Sequence, residues 1–197
     1  MIVSSSLGDF KLMAKSRAIV ITGNGTNCEM EAAHACRLGG FDGNYLEQSV
    51  TLMHNDCGRF QDRWCYLKAD PASPCIYTEG IEKGIYLPVR HGEGKFVCDS
   101  AATLERIESG HLAALKYSDS DYATAAMDFP ANPNGSINAI AGLCDPSGRL
   151  MGLMPHPEAF VHYTQHPRWT REQLPVDGEG LILFKNAAAF VRQNLVE

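Results

Sequence analysis

The stretch GLMPHPEAF, Gly152 to Phe160, sets a histidine and a glutamate two positions apart with a proline before each. Proline fixes φ and removes a backbone donor, so His156 and Glu158 are expected on stiff, non-helical chain where alternate side chains share a face. An imidazole held by a carboxylate is a proton shuttle when a nucleophile stands beside it, as in acyl-transfer hydrolases. Without that nucleophile the pair is a polar surface turn.

Cysteine is one side chain that can supply such a nucleophile. The chain has seven: Cys28, Cys36, Cys57, Cys65, Cys75, Cys98 and Cys144. Cys28 stands at the start of an expected helix, where the helix dipole lowers a thiol pKa. Cys57, in HNDCGRF, has polar neighbours. Free cysteines are more often inert small hydrophobes, and none of the seven is expected to serve. No CxxC spacing and no zinc-finger pairing of Cys with His occurs.

Three other polar stretches invite chemistry and have simpler readings. HGEG, His91 to Gly94, reads as a tight turn whose glycines supply positive φ, or as a loop near a catalytic pocket. NPNGS, Asn132 to Ser136, has turn composition. His54, Asn55 and Asp56 offer too few ligands for a metal and are expected in a solvated turn. GNGTNCE lacks both the Lys-Ser/Thr ending and the GxGxxG spacing of phosphate loops, so no nucleotide site is expected.

The elements that must carry these residues follow from pattern. AIVITGNG (18–25) reads as a strand and turn, and TNCEMEAAHACRLGG as a helix, the opening of an α/β unit. From Ser49 the chain reads as an antiparallel meander with an excursion at HNDCGRF. SAATLERIESG (100–110) is a short helix capped by Ser100 and ended by Gly110. HLAALKYS reads as strand, two more strands flank DPSGR, and GLILFKNAAAFVRQNL is the C-terminal helix.

The bulk composition is that of one globular domain: 197 residues, 45% hydrophobic, 20% charged. The net charge of −6, with no run of basic residues, argues against nucleic acid or an anionic membrane as the main partner. No apolar run long enough for a membrane span and no secretory signal pattern occurs. The odd cysteine set suits a reduced, cytoplasmic protein. A second methionine at Met13 makes residues 1–17 read as an N-terminal extension.

Taken together and in order, GNGTNCEMEAAHACRLGGFD, TLMHNDCGRFQDRW, LPVRHGEGKF, ALKYSDSD, NPNGSINAIAGLCDPSGRLMGLMPHPE and LILFKNAA resemble one family. It is the glutaminase subunit of phosphoribosylformylglycinamidine synthase, a class I glutamine amidotransferase of purine biosynthesis. The resemblance covers residues 18–197. It implies an α/β, flavodoxin-like fold with a mostly parallel core sheet and an antiparallel extension. It also implies hydrolysis of glutamine to glutamate and ammonia. The ammonia would pass to a synthase partner that turns formylglycinamide ribotide into formylglycinamidine ribotide, with ATP and Mg on that partner and no cofactor in this chain. His156 matches the family's base and Glu158 its orienter. The family's nucleophile stands on an elbow of the form G(V/I)CNGFQ behind a PGGF loop, and neither string is present. The pattern runs to Asp42 and resumes at Gly43, which implies that central β-α units, on the order of 60 residues or more, are absent there. The implied consequence is loss of glutaminase activity. Two alternatives stay open: a non-catalytic subunit that docks on the synthase, or a defective truncated product with uncovered sheet edges.

Overall fold

The computed structural model describes residues 34, 35, 38 and 49–194. The chain divides into two compact units, residues 1–48 and 49–197. In the first, His34, Ala35 and Leu38 are helical, as expected for TNCEMEAAHACRLGG. The strand expected at 18–25 lies outside the described residues, and so do Cys28 and Cys36.

The second unit is built on a five-stranded sheet and a two-stranded one. In chain order the strands are β1 (Val50–His54), β2 (Gln61–Ala69), β3 (Gly84–His91), β4 (Glu93–Cys98), β5 (Leu115–Ser118), β6 (Ile140–Cys144) and β7 (Met151–Leu153). The larger sheet runs β3-β2-β5-β6-β7, and β1 pairs with β4. Every pairing among the described residues is antiparallel. The mostly parallel core of the sequence reading is therefore not what the described residues form. The physical reason is connection length. β6 and β7 are joined by only six residues, 145–150, too few for the crossover of a dozen residues or more that a parallel pair needs.

Alternation along β2 places Cys65, Leu67 and Ala69 on one face, matched across the register by Leu87 and Ile85 of β3 and by Tyr117 and Leu115 of β5. These residues, with Val89, Ala139, Ala141, Phe160 and Leu183, make the main core. The opposite face of β2 and β3 carries aromatics, with Tyr66 stacked on Tyr86 at 4.4 Å. Residues facing alternately core and aromatic layer are what period-2 patterning produces.

Two helices close the unit. α1 (Ala101–Ser109) buries Thr103 and Ile107 and packs Ile107 with Phe96, Ala113 and Ile140. Its N-cap is Ser100, whose Oγ accepts from Thr103 N at 3.2 Å. Ser100→Ala is expected to lower stability by about 1 kcal/mol, read by chemical denaturation. α2 (Leu181–Asn194) buries Leu183 in the main core, and Asn186 Nδ2 donates to the carbonyls of Tyr77 at 2.8 Å and Glu79 at 2.7 Å.

Candidate functional site

The chain leaves β7 and crosses to the opposite edge of the sheet. Met154 N donates to Ala141 O of β6 at 3.0 Å, and His156 N donates to Pro88 O of β3 at 2.8 Å. Pro88 has no N–H to lose on that edge, which is where a strand tolerates proline. Between the two bonds Pro155 is fully buried. His156 itself has φ −102° and ψ 89°, and Pro157–Ala159 form a short 3₁₀ turn. The expectation of extended chain is thus corrected at Glu158. The carboxylate meets the imidazole because the turn folds it back, not because alternate residues share a face.

His156 Nδ1 and Glu158 Oε1 lie 2.6 Å apart, with His156 about one-third exposed and Glu158 mostly exposed. Glu158 has a lowered pKa: its partial burial works against this, but the bond to His156 and the nearby Arg90 charge prevail. With Nδ1 turned to the carboxylate, Nε2 is left to take a proton. Gly180 locks the segment to the start of α2, because a Cβ there would lie 2.1 Å from Pro157 O.

Behind the histidine lies a buried polar network that joins HGEG to NPNGS. His54 and Asp56 are exposed but Asn55 is buried, so the solvated turn expected at His54–Asp56 is corrected at Asn55. Its Nδ2 donates to His91 O at 2.9 Å, and its Oδ1 accepts from Gly94 N at 3.1 Å and Asn134 Nδ2 at 2.6 Å. Tyr117 OH donates to Asn134 Oδ1 at 2.9 Å. Asn132 Oδ1 accepts from Ser136 N, and Ser136 Oγ accepts from Phe96 N. These asparagines replace backbone partners that two irregular loops cannot supply for each other.

His91 ends β3 within this network and is buried. Its ring centroid lies 6.2 Å from that of His156, with the planes 32° apart. Neither ring nitrogen has a hydrogen-bond partner in good geometry, although the Asn134 amide lies beside the ring. Burial lowers the His91 pKa; the Asn134 amide opposes this, and the neighbouring His156 adds to it. The HGEG glycines also act differently from expectation. Neither Gly92 nor Gly94 has positive φ; a Cβ on Gly94 would lie 2.2 Å from His91 Nε2. Gly135 is the residue with positive φ, at 77°, and its Cβ would strike Asp56 Oδ2 at 2.0 Å.

His166 shares the lowered pKa of His91, again through burial, with Glu172 opposing and Arg168 adding. Both histidines titrate below the unfolded value of about 6.5, so the unfolded chain binds the extra protons. Their contribution to stability is whole above about pH 6.5 and is lost as pH falls through the folded values. Unfolding free energy should therefore drop on acidification below that point, and His91→Phe should flatten part of the slope.

Among the described residues the hydrogen-bond partner of the His156 ring is Glu158, and no thiol joins them. Cys65 is buried and its thiol is pushed up to about 12 by desolvation. Burial also raises Cys98 and Cys144, the latter against Ser73. Cys75 is buried, and exposed Cys57 accepts from Gln61 Nε2 at 3.0 Å. A cavity of about 630 Å³ opens where Gly84 and Ile85 meet Leu181, Ile182 and Lys185, but neither His156 nor Glu158 lines it.

The sequence reading thus brings His156 and Glu158 together correctly as neighbours. It places His91 near a catalytic pocket only as one of two readings of HGEG, and it does not join Asn55 or Asn134 to that region. The available signal is an asparagine between proline and glycine inside an otherwise apolar run.

The family model of the CobB/CobQ-like glutamine amidotransferase domain matches residues 40–191. The phosphoribosylformylglycinamidine synthase subunit PurQ of Dehalococcoides mccartyi is 45% identical over 146 residues, 74% of this chain and 54% of that protein. A Methanococcus maripaludis protein of the same name is 37% identical over 156 residues, 78% of this chain and 56% of that one. The phosphoribosylformylglycinamidine synthase of Homo sapiens is 36% identical over 140 residues, 70% of this chain and 10% of that protein. The chain thus spans about half the length of the curated PurQ relatives it matches. A solved structure, that of PurLQS from Thermotoga maritima, covers 90% of this chain and 100% of its own with 20% identity and a TM-score of 0.49.

Proposed function

The chain belongs to the CobB/CobQ-like glutamine amidotransferase domain family, and on that premise we propose that it is by descent the glutaminase component of a phosphoribosylformylglycinamidine synthase that keeps the proton-handling pair and lacks the thiolate. The observation that carries this reading is the 2.6 Å contact of His156 Nδ1 with Glu158 Oε1, unaccompanied by a cysteine among the described residues. His156 takes the role of base and Glu158 that of its orienter. In the complete reaction a thiolate attacks the glutamine carboxamide while the imidazole takes and returns the proton. The missing elbow between about Asp42 and Gly43 removes the bond-forming step, and in a serine hydrolase loss of the nucleophile alone lowers turnover by about 10⁶. The finer fold follows the same descent: a flavodoxin-like amidotransferase core to which the antiparallel sheet is the extension.

Without its nucleophile the chain acts as a docking subunit of a synthase that draws on free ammonia and holds the ATP and Mg. Support for the partner comes from the relatives, whose names are those of a synthase and its subunit. The test is ammonia release from glutamine by the purified chain, alone and with the synthase. No release in either case, together with co-elution of the two proteins, is the expected result. Release that disappears in His156→Ala would show a working glutaminase instead.

A further inference from the structure

We propose that His91 is a positioning residue for His156: its buried imidazole packs against the ring of the base and holds it with Nδ1 on Glu158 and Nε2 free for a proton. This rests on the reading of His156 and Glu158 as a base and its orienter.

A carboxylate can orient an imidazole only as firmly as it is itself held. Glu158 is 61% exposed and stands on a short surface turn, so it cannot fix the ring alone. The backbone bond from His156 N to Pro88 O anchors the chain and leaves the side chain free to turn. The rigid contact comes from β3. His91 pairs with Gln61 in the sheet, and its carbonyl accepts from Asn55 Nδ2. Its ring is walled in by Gly94 and the Asn134 amide, and it faces the His156 ring at 6.2 Å.

The unpartnered nitrogens of His91 agree with this role. A histidine that met a hydrogen-bond partner of its own would compete for the geometry of its neighbour, whereas a buried neutral ring acts as a wall. Burial keeps it neutral, with the Asn134 amide opposing and His156 reinforcing. The charged and titratable groups facing the base are then Glu158 from its own turn, and His91 and Arg90 from β3, the latter acting on Glu158.

The test is ¹⁵N NMR of the histidine rings in the whole chain, which reads the tautomer of neutral His156 directly. In the wild type the Nδ1–H form is expected. His91→Ala should lower its ratio to the Nε2–H form by roughly tenfold, the equilibrium equivalent of losing one hydrogen bond to a charged group. His91→Phe, which restores a ring without ionisable nitrogen, should recover it. Should the alanine variant fail to unfold cooperatively, His91→Gln, which also lacks the ring, is read in its place with the same expected loss. An unmoved tautomer in a folded Ala or Gln variant, or one lost in a folded Phe variant, overturns the role of His91. A wild type without the Nδ1–H form contradicts the dyad itself and sinks the proposal with it. Glutamine turnover enters neither outcome.

Discussion

Asn134→Ala is expected to lower the folding free energy by about 3–5 kcal/mol, the sum of an orphaned buried donor and an unfilled amide cavity. Asn134 is fully buried, and its two amide atoms serve Tyr117 OH and Asn55 Oδ1. Tyr117 has no solvent exposure, so its hydroxyl cannot turn to water when the acceptor is removed. Asn55 Oδ1 keeps Gly94 N and is the less affected partner. The loss is a large share of the stability of a typical domain, about 5–15 kcal/mol. Denaturant titration should show the midpoint falling with its slope unchanged. A change below about 1 kcal/mol would mean that HGEG and NPNGS are not joined through this amide.

Gly94→Ala is the second large effect. The added Cβ would lie 2.2 Å from His91 Nε2 and 2.7 Å from Asn134 Nδ2, both in side chains already packed on every side. Overpacking of this kind costs about 1–3 kcal/mol and more where nothing can yield. The upper end, about 3 kcal/mol, is expected here, together with displacement of His91 from His156. Gly92→Ala is the control, since nothing lies within 4 Å of a Cβ there and the residue has no positive φ. Its cost should stay below about 1 kcal/mol. Equal losses at the two glycines would remove the close-approach argument.

How much of this is legible in the sequence depends on the range of the interaction concerned. The strands β2 and β3, the capped helix α1 and the C-terminal helix α2 follow from local period and capping residues, and the structure has them where the pattern puts them. The pairing of His156 with Glu158 is also local, because two residues and two prolines constrain it. Strand partners are different. β1 lacks the alternating burial of β2 and pairs with β4 in a separate sheet, with a bulge at Met53/His54, and nothing in VTLMH specifies that choice. The burial of Asn55 escapes a sequence reading for a related reason. HNDCGRF has the composition of a solvated turn, and its burial depends on Asn134, distant in sequence, arriving with a complementary amide. Of the two glycines of HGEG only Gly94 is constrained, by a neighbour rather than by a dihedral angle; Gly92 is constrained by neither.

On the proposed reading, these loops and the His156–Glu158 pair position an imidazole and the thiol side of the reaction is missing. Intact-mass analysis after incubation with an electrophilic glutamine analogue reads that missing side directly. The account predicts no adduct on any of the seven cysteines under conditions that label a competent amidotransferase. A stoichiometric adduct on one cysteine, abolished in His156→Ala, would contradict it and assign that sulfur as the nucleophile.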